Sequence, residues 1–191
     1  MLSEHVDYFN NLGWQDPFSD KEFTDRQESF SGTLHSDGVY TPQLIVDGRF
    51  GFVGSDQAAA SAAIRKALQE PKLPLNISGV TRVGGQITVR VESAGDRSIK
   101  AAHGRLFVAV AEEQSESQVT RGENRGRLLR HVAVVRRLKS ASTIDLHEPT
   151  ATEIAIPLHP DWGPNGLRIV VFIQDPISGH VLGVEAQKVK P

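Results

Sequence analysis

The chain has 191 residues, 39% hydrophobic and 23% charged, a composition typical of an ordinary globular protein with one large or two small cores. It contains no cysteine, which excludes disulfide bonds, thiolate metal sites and thiol catalysis. No apolar run approaches the length of a membrane-spanning helix, so no membrane span is expected.

The net charge of −2 conceals a difference between the two parts of the chain. Residues 1–71 contain 5 Lys/Arg and 11 Asp/Glu, whereas residues 72–191 contain 16 and 12. The step falls at Pro71-Lys72-Leu73-Pro74, where two prolines end a helix and extend the chain. We therefore predict two domains, residues 1–71 and 72–191.

In the first domain, Leu2–Tyr8 is predicted to be a short strand. Ser19-Asp20-Lys21-Glu22 predicts a capping box, in which the Ser19 hydroxyl accepts from the Glu22 amide and starts a helix. Gln43–Val46 and Phe50–Val53 predict a hairpin that turns at Asp47-Gly48, a type I′ dipeptide. A second helix then runs to Leu68 from a cap at Ser55 or Asp56. This order of strand, helix, hairpin and helix is that of the second half of a thioredoxin fold.

Several short motifs occur along the chain in a recognisable order. They are His5-Val6-Asp7-Tyr8, Leu12-Gly13-Trp14, Asp16-Pro17-Phe18-Ser19, Tyr40-Thr41-Pro42-Gln43, Val46-Asp47-Gly48, Val53-Gly54-Ser55-Asp56, Gly122-Glu123-Asn124, Gly126-Arg127, Leu129, His131 and Val134-Val135-Arg136. Together they resemble the bacterial domain-of-unknown-function 1223 family. The resemblance implies a thioredoxin-like domain followed by a β-rich domain, usually in exported proteins of unestablished activity. Such proteins typically carry an upstream strand and helix with a Cys-x-x-C motif.

If that resemblance holds, the first domain is a partial thioredoxin-like α/β domain. Its central strand, which would lie between Leu2–Tyr8 and Gln43–Val46, is absent from the sequence, and two strand edges would face each other unpaired. We expect a misassigned or truncated start at Met1; the alternatives are a strand from another chain, or closure of the gap. A periplasmic or secreted location follows if a signal peptide precedes this sequence, and a cytoplasmic one if Met1 is the true start.

The second domain is predicted to be an antiparallel β-sandwich or jelly-roll. Ile87–Glu92 alternates apolar and polar residues, as a half-buried strand does, and Gln114–Arg127 is predicted to be a long loop or hairpin tip. The other predicted strands are Leu75–Val80, Leu106–Ala111, Leu128–Leu138, Ile154–Leu158, Leu167–Ile173 and Val181–Val189.

The best candidate site is Thr41-Pro42, where a cis peptide would let the Thr41 backbone bind an extended peptide or protein. Tyr40, Trp14 and Asp16 are the further candidate binding residues. The alternative is a trans proline that simply opens a strand.

Two further clusters carry weaker predictions. Glu4, His5, Asp7 and Asp16 supply metal-type donors, but their spacing is not diagnostic and no metal or cofactor is expected. Arg125 and Arg127 lie in a basic run and could bind an anion by bidentate contacts. A salt-bridged surface is the alternative, and no nucleic-acid binding is expected because no aromatic residues interleave.

These observations favour a non-catalytic binding or interaction module without redox cysteines. The first alternative is the truncated remainder of an extracytoplasmic thiol-disulfide oxidoreductase-like protein, and the second is a metal- or anion-binding protein. The absence of cysteine argues against an enzyme for this chain.

Overall fold

The computed structural model describes residues 1–162 and 166–190. A short 3-10 helix spans Asn10–Leu12, and the two α-helices are α1 (Lys21–Thr33) and α2 (Gln57–Ala67). The strands are β1 (Gln43–Val46), β2 (Phe50–Val53), β3 (Asn76–Val83), β4 (Gln86–Ser93), β5 (His103–Gln118), β6 (Leu128–Asp145), β7 (Thr150–Pro157), β8 (Leu167–Gln174) and β9 (Val181–Lys188).

The nine strands form three antiparallel sheets among the described residues. β1 and β2 form a hairpin, β3-β4-β7 form a three-stranded sheet, and β6-β5-β8-β9 form a four-stranded sheet. The two larger sheets enclose the main core, to which β4 contributes Ile87, Val89 and Val91 by the alternation that its sequence predicts. The antiparallel sandwich predicted for residues 72–191 fits this arrangement.

A second, smaller core lies on the outer face of the four-stranded sheet. There Phe23 of α1, 3% exposed, packs against Val170 and Phe172 of β8. The neighbouring residues of β8 point into the sandwich, so this strand is buried on both faces, as its continuous apolar sequence requires. Because α1 packs on this sheet, the first 71 residues share a core with the sandwich, and their independence as a domain remains a prediction.

The N-terminal segment, residues 2–8, does not pair with the hairpin. The Ser3 amide donates to the Ala133 carbonyl (2.8 Å), and the Ser3 carbonyl accepts from the Val135 amide (2.9 Å), so the segment lies along the edge of β6. β6 is the edge strand of the four-stranded sheet, and Ala133, at the point of contact, has a φ of 53°. The strand predicted over Leu2–Tyr8 is therefore reduced to isolated bridges.

The prediction of a partial thioredoxin-like α/β domain is wrong. The protein is composed mainly of antiparallel sheets with two short helices, and no sheet mixes the N-terminal segment with the hairpin. The physical reason is that the N-terminal segment pairs with β6 and α1 packs on the four-stranded sheet, while the two strands of the hairpin pair with each other. The order of elements suggested the fold, but the long-range pairing decides it.

Several local predictions are confirmed and one needs a correction. The hairpin has the predicted strands, with φ values of 59° and 68° at Asp47 and Gly48 as a type I′ turn requires. The Asp56 carboxylate caps α2 by accepting from the Ala59 amide (2.8 Å). The cap of α1, however, is Asp20 rather than Ser19, since the Ser19 hydroxyl donates instead to the Asp16 carbonyl.

Candidate functional site

A cavity of about 650 Å³ opens between the N-terminal segment, α1, β1 and the outer face of the four-stranded sheet. We call it the strand groove. Its apolar lining includes Leu44, Phe30, Val170, Phe172, Val181 and Val184. Met1 and Val184 stand at the opening and are 75% and 53% exposed, so apolar surface continues from the groove to the outside.

One wall of the strand groove is the free edge of β1. The Gly54 amide donates to the Pro42 carbonyl (2.7 Å), which marks this pair as a hydrogen-bonded position of the hairpin. Hydrogen-bonded and non-hydrogen-bonded pairs alternate in an antiparallel ladder, so Gln43 and Ile45 direct their backbone groups away from β2. Both residues line the groove, and β2 is the sole strand paired with β1 in the described chain.

The opposite wall is the free side of the N-terminal segment. Ser3 uses its N–H and C=O groups on β6, and the His5 carbonyl accepts from the Asp20 amide. The alternate residues Leu2, Glu4 and Val6 therefore direct their backbone groups to the other side, where all three line the groove. No described residue forms a hydrogen bond with these backbone groups.

The two walls run in opposite directions. The Gln27 side chain accepts from the Tyr8 hydroxyl (3.1 Å) just beyond the end of the first wall. The same amide group donates to the Gln43 side chain (2.9 Å) at the beginning of β1. The end of the N-terminal segment thus lies beside the start of β1, and the groove is bounded by two antiparallel backbone edges.

An ion pair between Arg26 and Glu4 lies inside the groove. The Arg26 guanidinium donates to the Gln174 side chain (2.8 Å) and, over a longer 3.3 Å, to Oε1 of Glu4. It also stacks over three aromatic rings, at 5.0 to 5.5 Å from their centroids: Phe30, Phe107 and Phe172. Burial raises the pKa of Glu4, although the Arg26 charge and hydrogen bond act to lower it.

The predicted peptide site is divided by the structure. Thr41 and Pro42 line the strand groove, and the peptide bond between them is cis. Tyr40 contributes its carbonyl to a hydrogen bond from Gln27 (2.8 Å), while its ring lines a different cavity between the hairpin and α2. Trp14 and Asp16 lie outside the groove, so the five predicted residues do not form one site.

Asp16 belongs to a second cluster, centred on two histidines. His5 Nδ1 donates to Asp16 Oδ2 (2.7 Å), and the ring of His5 lies 5.0 Å from that of His131. Phe18 packs edge-on against both imidazoles. His131 Nε2 lies 2.8 Å from the Ser117 hydroxyl, but Ser117 is only 5% exposed, so this pair is closed to a substrate.

The surroundings of this histidine cluster lower the pKa of both His131 and Asp16. Burial, and then the charge of His5, lower the pKa of His131, whereas Asp16 acts to raise it. Burial raises the pKa of Asp16, but hydrogen bonds from His5 and the Phe18 amide hold it below its usual range.

Trp14 and the predicted anion-binding arginines meet at the tip of the β5–β6 hairpin, residues 119–127. Gly122 packs close to Leu12 and Trp14, so a Cβ at Gly122 would lie 3.3 Å from the Leu12 carbonyl oxygen. Arg125 and Arg127 are exposed at this tip, and anion binding by them stays a prediction. The predicted loop over Gln114–Arg127 is shorter than expected because β5 continues to Gln118.

The four N-terminal metal-type donors do not converge. Glu4 contacts Arg26, Asp7 accepts from the Thr24 hydroxyl (2.6 Å), and His5 binds Asp16. No three such side chains are grouped for a metal within residues 1–162 and 166–190. In the same part of the chain, no helix is both long and apolar enough to cross a membrane.

Sequence reasoning missed Arg26, His131 and Ser117. Arg26 lies on a helix whose polar residues resemble any solvated face, and its partner Gln174 is 148 residues away. His131 lies opposite Ser115 in the β5–β6 ladder, and its ring reaches the Ser117 hydroxyl two residues further along β5. The strand predicted over Leu106–Ala111 ended before Ser117. A strand prediction extended through Gln118 would have suggested that pairing.

The fold and the groove define a class: an antiparallel β-sandwich protein with a helix–hairpin–helix unit packed on its outer face. The chain belongs to the DUF1223 family of proteins of unknown function, whose model matches residues 1–174. This confirms the family resemblance seen in the motifs.

Two solved structures are similar. Protein AGR_C_4864 from Agrobacterium tumefaciens is 22% identical, with a TM-score of 0.69 over 100% of this chain and 82% of that one. HBP35 of Porphyromonas gingivalis is 13% identical, with a TM-score of 0.65 over 88% of this chain and 58% of that one. At these identities the likeness concerns the fold alone. No curated protein matches the chain at a significant level.

Proposed function

We propose that this chain is a non-catalytic binding module that accepts an extended polypeptide segment as an added β-strand in the strand groove. One observation carries the proposal: two backbone edges face each other across the cavity, and Ile45 on one and Glu4 on the other have free backbone groups directed into it. Unpaired backbone groups beside a cavity are costly, and an extended chain supplies the matching donors and acceptors.

The chemistry of the groove also fits a polypeptide better than a small substrate. Its donors and acceptors are backbone groups repeated along two edges, and its floor is apolar, which suits alternate apolar side chains. The two histidines beside the groove are half-buried, and Ser117 is buried, so its hydroxyl is not an open nucleophile. Thr41 and Pro42, two of the five binding residues predicted from the sequence, line the groove and support the proposal.

The test is a binding titration with a fluorescein-labelled peptide of about eight residues that alternates valine with polar residues, a length typical of strands. Fluorescence anisotropy should report saturable binding. The same peptide, N-methylated at alternate residues, should bind at least tenfold more weakly, because it loses all the N–H groups that pair with one of the two edges. Equal binding of the two peptides, or no binding of either, would overturn strand addition.

A pair of protein variants provides a matched control. Ile45→Pro removes the amide directed into the groove. Val53→Pro removes an amide on the outer edge of β2, on the other side of the same hairpin. Both should keep the melting temperature within a few degrees, because neither amide serves the hairpin ladder. Ile45→Pro should weaken binding and Val53→Pro should not.

A further inference from the structure

We propose that the segment bound in the strand groove carries a basic side chain that pairs with Glu4. This inference deepens the proposed function and rests on it. It concerns which segments the groove selects, whereas strand addition explains only that an extended chain is accepted. The occupant is thus an extended, mainly apolar polypeptide with a lysine or arginine directed at the groove floor.

Glu4 has an oxygen available to a ligand. Oε1 accepts a hydrogen bond from Arg26 at 3.3 Å, while Oε2 has no hydrogen-bond partner among the described residues. The side chain lines the cavity and is 24% exposed, so that oxygen is reached from the groove. A carboxylate oxygen accepts hydrogen bonds only, so it selects a donor.

The existing ion pair under-compensates the carboxylate. Arg26 is held by Gln174 and by three aromatic rings, so it cannot move to form a bidentate pair with Glu4. Burial raises the pKa of Glu4 in spite of Arg26, and the charge of Glu22 adds to the effect. A second cation would therefore stabilise the charged form of Glu4 more than water does at present.

The surrounding charge has the same sign. Residues 1–71, which supply most of the groove, carry 11 acidic and 5 basic side chains. The other carboxylate lining the groove, Asp47, is already bound by Lys72 and His180. Glu4 is thus the carboxylate of the groove lining that remains open to an incoming cation.

The experiment compares two peptides that differ at one side chain, lysine or the isosteric, uncharged norleucine. The lysine peptide should bind the natural protein about tenfold or more tightly than the norleucine peptide. A gain of this size is expected for one hydrogen bond to a charged group. In Glu4→Gln this preference should disappear. In Glu28→Gln, which removes an exposed charge of α1 outside the groove, the preference should remain.

The outcomes separate the two proposals. If both peptides bind equally well to the natural protein, the basic side chain is not recognised, and strand addition stands alone. If Glu28→Gln weakens the preference as much as Glu4→Gln does, general electrostatic attraction explains it and the assignment to Glu4 is wrong. If neither peptide binds, the strand groove is not a peptide site and the proposed function falls with the inference.

Discussion

Lys72 Nζ lies 2.6 and 2.8 Å from the two carboxylate oxygens of Asp47, so the linker into the sandwich is bound to the turn of the β1–β2 hairpin. Asp47 is 6% exposed, and His180 Nε2 lies 3.0 Å from its second oxygen. The contact fixes one end of the strand groove, because Asp47 and Gly48 both line it.

We expect Lys72→Met to lower the free energy of unfolding by about 3 kcal/mol, because it leaves a buried carboxylate short of a partner. Chemical denaturation measures the change. The double variant Asp47→Asn/Lys72→Met should recover a large part of the loss, since it removes the stranded charge as well. A single variant within about 0.5 kcal/mol of the natural protein would show that the pair contributes nothing.

Gly48 predicts a second, steric effect at the same turn. A Cβ at Gly48 would overlap the Gly179 backbone, and the φ of 68° already disfavours a side chain. Gly84 has a φ of 58° in open space, so Gly84→Ala isolates the cost of the backbone conformation, about 1 kcal/mol. Gly48→Ala should cost at least about 2 kcal/mol more. Equal losses in thermal unfolding would contradict the close contact.

The histidine cluster predicts a pH dependence of stability. Burial and His5 lower the pKa of His131, so the folded protein binds this proton less readily than the unfolded chain. The contribution of His131 to the free energy of unfolding should therefore be complete above the ordinary histidine pKa, near 6.5. It should be lost as the pH falls from there toward the lowered pKa of the folded protein. Urea titrations at several pH values between about 7.5 and 5, the range in which histidine titrates, measure the free energy of unfolding.

The matched variants for this measurement are His131→Gln and His103→Gln. The first removes the imidazole whose pKa is lowered, so the free energy of unfolding should depend less on pH below about 6.5. The second replaces an exposed histidine at the start of β5 and should leave the profile unchanged. If His131→Gln kept the pH dependence of the natural protein, other groups would cause the loss of stability in acid.

Two arginines of the β5–β6 hairpin should behave differently on replacement by alanine. Arg136 is 15% exposed, stacks over Phe18 (4.9 Å) and pairs with Glu112 (3.7 Å). Arg136→Ala should cost about 2 kcal/mol, because it removes a half-buried guanidinium that pairs with Glu112 and packs on Phe18. Arg127 is exposed at the tip, so Arg127→Ala should stay within about 0.5 kcal/mol. Denaturation curves that place the two losses in the reverse order would contradict this assignment.

Local elements were predictable from the sequence and long-range pairings were not. Asp47-Gly48 specifies its turn, and Asp56 its helix cap, through interactions within a few residues. Residues 2–8 carry no signal for their partner, because they pair with the edge of β6 about 130 residues further along the chain. The same limitation concealed the Ser117–His131 contact.

The candidate site shows the same division. Thr41 and Pro42 were identified by a local motif and do line the strand groove. Glu4 was noted among the acidic residues, but its pairing with Arg26 depends on how α1 packs against the four-stranded sheet. The wall formed by Leu2, Glu4 and Val6 exists because Ser3 is turned toward β6.

The amide hydrogen exchange of Ile45 tests strand addition most directly, measured by NMR with and without a saturating amount of the alternating peptide. The account predicts that the exchange of the Ile45 amide slows at least tenfold, because the added strand pairs with it. The Gly51 amide lies on the outer edge of β2, on the other side of the same hairpin, and should exchange at an unchanged rate. Bound peptide with no protection of Ile45 would contradict the account.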